Sequence, residues 1–168
     1  QNITSAVNEL SHYGKVKGYI VDVSDNKLIT EGYNKVVNEC GAVDILINCA
    51  GIITSNKTFD QMSSDEMTRT MNINTLAPMF VTRAMLPGMI SRNRGHICNI
   101  TSAGGMLSNP KMSVYAASKW GAIGWSDSVR IELQEMKSSV HVTTVAPYYI
   151  NTGMLDGVLS LVPSAKIG

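Results

Sequence analysis

Charge is scarce in this sequence. Asp, Glu, Lys and Arg make up 16% of its 168 residues, and the formal net charge is +1. No run of five like charges occurs, which argues against an electrostatic nucleic-acid footprint and against a polybasic membrane anchor. No apolar stretch approaches the roughly 18 residues of a membrane span, and nothing at the N-terminus reads as a signal peptide. Cysteines are few, at Cys40, Cys49 and Cys98, far apart and each near an apolar run. Their odd number and lack of metal-ligand spacing argue against a disulfide framework and predict buried thiols in a reducing, cytoplasmic compartment, with a membrane anchor upstream of these residues as the alternative. His12, His96 and His141 are equally scattered, so no metal site is expected. Glycosylation sequons occur at Asn2, Asn56 and Asn99. Asn99 lies in an apolar strand pattern with no room for a glycan, and all three are read as coincidence.

What is present suits one globular domain: 44% of residues are hydrophobic, and the length is ordinary for a single core. Ile3, Ala6, Val7 and Leu10 have helical spacing, with Gly14 as the expected C-cap. Val16 to Val21 reads as a strand closing at Asp22-Val23-Ser24. Leu28, Ile29, Val36 and Val37 mark a second helix closed by Gly41. Val43 to Ile47 is a β-branched apolar run that suits a buried parallel strand and stops at Asn48-Cys49-Ala50-Gly51. Ser63 and Glu66 have capping-box spacing, with Met62 and Met67 placed to staple the start of a long helical stretch. Pro78 interrupts that stretch and Pro87-Gly88 falls near its end, while its methionines read as core filling. His96 to Ile100 is a strand, a helix runs from about Ser113 to Lys137, and Val140 to Val145 is the last strand before Ala146-Pro147. This alternation with short links predicts a doubly wound α/β domain, a parallel sheet with helices on both faces. Polar and glycine residues gather at the C-terminal ends of the strands, where such sheets bind ligands.

Tyr115 and Lys119 lie at i and i+4 on a predicted helix, on one face and within reach of one ligand. A phenol has a reference pKa near 10. A nearby ammonium favours the phenolate and gives a workable general acid–base. The pair alone is weak evidence, since Tyr13 and Lys17 repeat it across a helix end and the next strand. Context separates the two. Ser102 precedes Tyr115 by thirteen residues at the end of a predicted strand, where its hydroxyl can meet the same substrate oxygen. Taken alone, Ser102 reads as an ordinary turn serine. Pro78 has no N–H, so the carbonyl of Asn74 four residues earlier loses its helical partner and is free for a water, although a plain proline kink explains the same residues.

With Asp22-Val23, Asn48-Cys49-Ala50-Gly51, Asn74, Ser102, Tyr115-Ala-Ala-Ser-Lys119, Pro147 and Thr152 in this order, the chain resembles the short-chain dehydrogenase/reductase family over nearly its whole length. The resemblance implies NAD- or NADP-dependent hydride transfer between an alcohol and a carbonyl. It implies that Tyr115 exchanges the hydroxyl proton, Ser102 orients the substrate oxygen, Lys119 binds the nicotinamide ribose, and Asn74 holds a relay water. Asp22 and Val23 would contact the adenine, Asn48, Ala50 and Gly51 would run beside the adenine ribose, and Pro147, Ile150 and Thr152 would line the cofactor. Tyr148 stands where the family usually has Gly after Pro147, which changes the pocket there. The segment from Pro147 to Met154 looks like the retinol and 17β-hydroxysteroid dehydrogenase branch, which implies a small alcohol or ketone, apolar as retinoids and steroids are. Trp120, Gly121, Gly124 and Trp125 continue the Tyr115 helix. In this family that helix commonly packs in a homodimer or homotetramer, and packing within one subunit fits the same residues. Two other readings share parts of the pattern. A cofactor-binding regulator or scaffold needs Asn48 to Gly51 but no Ser, Tyr and Lys set, and a sugar-nucleotide epimerase or dehydratase is usually longer and bulkier at its C-terminus.

The family's Gly-rich phosphate loop has no counterpart here: Gly104-Gly105 and Gly121-x-x-Gly124 lack its spacing and setting. Set against the family pattern, the first two strands and the last are missing. In the family's sheet order 3-2-1-4-5-6-7 the strand at Val16 to Val21 is then left without a neighbour. These residues are expected to belong to a longer enzyme, since every downstream motif is intact, with a damaged gene product as the alternative. By themselves they are expected not to fold stably, because the sheet would carry raw edges.

Overall fold

The computed structural model describes residues 2–107 and 109–148. Three strands, β1 (Ile45–Asn48), β2 (Gly95–Ile100) and β3 (Val140–Val145), form one parallel sheet in the order β1-β2-β3. Before β1 lie the helices α1 (Ile3–Leu10) and α2 (Asn26–Cys40). Between β1 and β2 run α3 (Ser64–Met71) and α4 (Ala77–Ser91), and α5 (Ser113–Glu135) joins β2 to β3. Parallel neighbours need such crossovers, so the α/β parallel-sheet expectation holds.

Local chemistry explains the element ends. The Asp25 carboxylate accepts from the Lys27 and Leu28 N–H groups at the start of α2. At its end Gly41 takes φ 84°, a left-handed conformation that costs a residue with a Cβ more. The expected capping box opens α3: Ser63 Oγ accepts from Glu66 N–H at 3.2 Å, and the Glu66 carboxylate accepts from Ser63 N–H at 2.8 Å. Pro78 does not interrupt the helical stretch as expected. Instead α3 passes into α4 through a π-helical turn at Asn72–Leu76, where the Ala77 N–H donates to the Asn72 carbonyl five residues back. The wider turn accommodates a proline that offers no N–H to the ladder.

Strand alternation sets the core. Leu46 and Ile97 stand side by side in register and, with Val140, Met89 of α4 and Leu133 of α5, form a buried cluster against which Val142 packs. Helices α4 and α5 therefore cover one face of the sheet. On the opposite face Ile45 and Ile47 are 66% and 60% exposed, so the expected second helical layer is not among the described residues.

Three further expectations need correction. Residues 16–21 form no strand: they have β-like residues but no ladder partner among the described residues. They are held by side chains instead, with Lys17 and the Tyr19 hydroxyl both donating to the Glu39 carboxylate at 3.0 Å. Gly14 is not the C-cap of α1, which ends at Leu10 with Ser11 as its cap, because the Ser11 N–H and hydroxyl both donate to the Val7 carbonyl first. The thiols are not buried: Cys40 and Cys49 are exposed and Cys98 is half-buried. Cys49 follows the strand into an open loop, and Cys98 shares the uncovered sheet face with Ile45 and Ile47. Asn99 is buried at 3% exposure with its amide bonded inside the sheet, as its strand pattern implies.

Candidate active site

The C-terminal ends of β1 and β2 meet the start of α5 and the π turn. The side-chain amide of Asn74, itself 2% exposed, grips the loop after β1. Its Oδ1 accepts from the Ile52 N–H at 2.8 Å, and its Nδ2 donates to the Ile52 carbonyl at 2.9 Å and to Ser118 Oγ at 3.0 Å. Ser118 Oγ donates in turn to the Tyr115 carbonyl at 2.7 Å, and the Ser118 carbonyl accepts from Thr75 Oγ1 at 2.9 Å. The π turn, the loop after β1 and the first turns of α5 are thus tied by side-chain bonds.

Within that frame Lys119 is 5% exposed. Its ammonium makes one hydrogen bond among the described residues, to the Ile100 carbonyl at 3.3 Å. Burial holds it below the usual lysine range, opposed only by the nearby Cys49, since removing water disfavours the charged form. A buried ammonium with three donors and one partner is short of acceptors. A Cβ on Gly51 would lie 3.4 Å from Lys119 Nζ and 3.6 Å from Asn74 Oδ1, so glycine there keeps the approach to Lys119 open. The same nitrogen stands 5.8 Å from the centre of the Tyr115 ring.

Ser102 ends the strand region, its Oγ accepting from the Gly104 N–H at 3.1 Å. A Cβ on Gly104 would lie 3.3 Å from Ser102 Oγ and 3.4 Å from Tyr115 Cε1, so the serine and the tyrosine flank that glycine. The Ala103 N–H donates to the Pro147 carbonyl at 2.9 Å, bringing the segment after β3 alongside Ser102. Beside Tyr115 lies a narrow cleft whose lining includes Met62, Met112 and Val114.

Of the residues singled out in the sequence, the structure gathers Gly51, Asn74, Ser102, Tyr115, Lys119 and Pro147. Asn48 is placed differently: its Nδ2 donates to Thr82 Oγ1 at 3.0 Å and to Asn99 Oδ1 at 2.8 Å, so the side-chain amide serves the sheet and only its backbone is left to run beside a ligand. Ala50 lies in the loop between them. Asp22 and Val23 make no hydrogen bond to this cluster. Asp22 Oδ1 accepts from the Ser24 N–H and hydroxyl at 2.9 and 2.7 Å, which holds its carboxyl below the usual range. Ile150 and Thr152 lie outside the described residues. Sequence reasoning missed Ser118 and Thr75. The signal for Ser118 was its place three residues after Tyr115, on the same helix face.

A parallel sheet with polar residues gathered at its C-terminal edge is a Rossmann-type domain. The family model for short chain dehydrogenases matches residues 1–160, and the chain belongs to that family. It is 37% identical over 145 residues to retinol dehydrogenase 10-A of Danio rerio, covering 85% of this chain and 42% of the relative. To human estradiol 17-beta-dehydrogenase 11 it is 33% identical over 155 residues, covering 92% and 50%. The chain therefore spans about half the length of these curated relatives. Among solved structures it matches a metagenomic short-chain oxidoreductase in complex with NADP at a TM-score of 0.80 and 31% identity, covering 86% of this chain and 65% of that one.

Proposed function

We propose that the protein containing these residues interconverts an alcohol and a carbonyl with NAD or NADP, acting on a small molecule with an apolar body. The observation that carries this reading is Lys119, a buried ammonium short of acceptors, one helical turn from Tyr115 and beside the open Gly51 backbone. Such a donor fits the hydroxyls of a nucleotide ribose, and the NADP-bound structural relative supports that fit. A bound nicotinamide supplies the hydride donor or acceptor.

The remaining chemistry falls to the chain's own side chains. Tyr115 gives or takes the hydroxyl proton at its phenol oxygen. The Lys119 charge stabilises negative charge on that oxygen as the proton leaves. Ser102 orients the substrate oxygen through its hydroxyl. Asn74 maintains the spacing between the β1 loop and α5, and in the family role it would hold a relay water. With the cofactor bound, Gly51, Ala50 and the Asn48 backbone would hold its ribose and Asp22 and Val23 its adenine, and the resemblance gives Pro147, Ile150 and Thr152 a part in lining it. The exposed Trp120 on α5 fits pairing of two copies through that helix. The three unpaired cysteines fit a reducing, cytoplasmic setting. Among the described residues no helix is long and apolar enough to cross a membrane.

The test is turnover of an alcohol and ketone panel by the full-length protein, followed by nicotinamide absorbance. Tyr115→Phe is expected to lower turnover on the order of 10²-fold while leaving cofactor affinity largely intact. Unchanged turnover in that variant removes Tyr115 from the chemistry. Cofactor binding without turnover of any panel member would favour the regulator or scaffold reading.

A further inference from the structure

We infer that Gly105 is a positioning residue: its missing side chain seats the turn after β2 on α5 and so sets where the Ser102 hydroxyl stands relative to Tyr115. The inference rests on the dehydrogenase reading, in which Ser102 and Tyr115 share the substrate oxygen. Ser102 opens that turn and Gly105 closes it, the Gly105 N–H donating to the Ser102 carbonyl at 2.9 Å. Gly105 is buried. A methyl there would lie 2.9 Å from both the carbonyl carbon and the Cβ of Lys119, and 3.0 Å from Ile123 Cδ1. Carbon atoms in contact prefer about 3.5–4.0 Å, so something must shift. Neither Lys119 atom is moved by a change of rotamer. Conformation does not call for this glycine, since among the described residues Gly41 is the glycine with a positive φ. Close approach to α5 does.

The turn is the side that yields. Helix α5 runs for 23 residues and is pinned where Gly105 meets it. Ser118, next to Lys119, accepts from Asn74 Nδ2 at 3.0 Å through its hydroxyl and from Thr75 Oγ1 at 2.9 Å through its carbonyl. Further along, the Ser126 and Thr144 hydroxyls bond at 2.7 Å. The turn is short, Ala103–Gly105, and is tied by backbone bonds such as that from the Ala103 N–H to the Pro147 carbonyl. The bond between Gly105 and Ser102 makes them one unit, so displacing the first carries the second. Ser102 has little slack, because a Cβ on Gly104 would already lie 3.3 Å from its Oγ and 3.4 Å from Tyr115 Cε1. The Lys119 ammonium sits at the far end of its side chain, beside Gly51. Lifting the turn therefore moves Ser102 and leaves Lys119 Nζ in place.

Gly105→Ala in the full-length protein is expected to lower kcat about tenfold, while affinity for NAD or NADP by calorimetry stays within about twofold. Ile123→Val removes the Cδ1 that the new methyl meets, so in the double variant kcat should recover about threefold. In a Ser102→Ala background Gly105→Ala should lower kcat by less than about twofold more, because the hydroxyl it displaces is gone. A merely structural loss would lower both backgrounds alike. Unchanged kcat in Gly105→Ala, cofactor affinity that falls with kcat, or an undiminished loss in the Ser102→Ala background overturns the positioning role. So does a double variant that does not fold, since the turn then fails to take up the methyl. Failure of the dehydrogenase reading shows separately, in the turnover of Tyr115→Phe, and removes this inference with it.

Discussion

Side-chain hydrogen bonds link Thr82, Asn48, Asn99, Ser126 and Thr144, running from α4 through β1 and β2 to α5 and from there to β3. Asn99 is the middle link: its Oδ1 accepts from Asn48 Nδ2 and its Nδ2 donates to Ser126 Oγ, both at 2.8 Å. Asn99 and Ser126 are buried, so removing the Asn99 amide leaves a donor and an acceptor unpaired away from water. Asn99→Ala is expected to destabilise the protein by about 2–3 kcal/mol, read as a lower urea midpoint at unchanged slope. A shift under about 0.5 kcal/mol would mean that water enters the gap and completes the bonds. Residues of this kind were only half legible. Tyr115 and Lys119 could be paired from i, i+4 spacing, but that Lys119 is buried with one acceptor depends on β2 and the Gly51 loop. Asn48 was assigned to the ligand side because its chain position says nothing about which way its amide turns.

At the scale of single elements, α3 begins in a capping box reinforced by the Lys57–Glu66 pair. Ser63→Ala should cost about 1 kcal/mol, measured by thermal unfolding. The hydrogen bond from Lys57 and then that from the Ser63 N–H hold the Glu66 carboxyl below its usual range. A carboxyl with a lower pKa folded than unfolded stabilises the fold above its unfolded value, near 4.3. It loses that contribution as pH falls through the folded value. Stability should therefore fall on acidification below about pH 4.3 more steeply in the parent than in Glu66→Gln. Equal acid slopes would show that Glu66 is not held in this way. Element boundaries with a local cause were legible: Ser63, Gly41 and the β-branched runs of β1 and β3 announce themselves. The π turn did not, because a missing proline N–H signals trouble in the ladder without saying whether the helix breaks or widens.

Over the whole molecule, the sheet has a covered face and a bare one. Ile45 and Ile47 stand largely exposed on β1, whose outer edge has no strand partner among the described residues. Unpaired edges beside apolar side chains invite association. Residues 1–168 expressed by themselves should self-associate and bind a hydrophobic dye, as light scattering and dye fluorescence would show. A monodisperse 18.2 kDa species without dye binding would show that the three-stranded sheet suffices.

The sequence by itself determined the α/β class and the parallel direction of the strands, and it singled out Asn74, Ser102, Tyr115 and Lys119, which the fold brings together. Apolar periodicity and capping residues act over a few neighbouring positions and can be read along the chain. Tertiary structure alone decided that residues 16–21 stay outside the sheet, that Cys49 is exposed, and that Asn48 faces the sheet core. Each depends on which distant groups fill the second half of a contact, and burial and pairing are properties of two surfaces together.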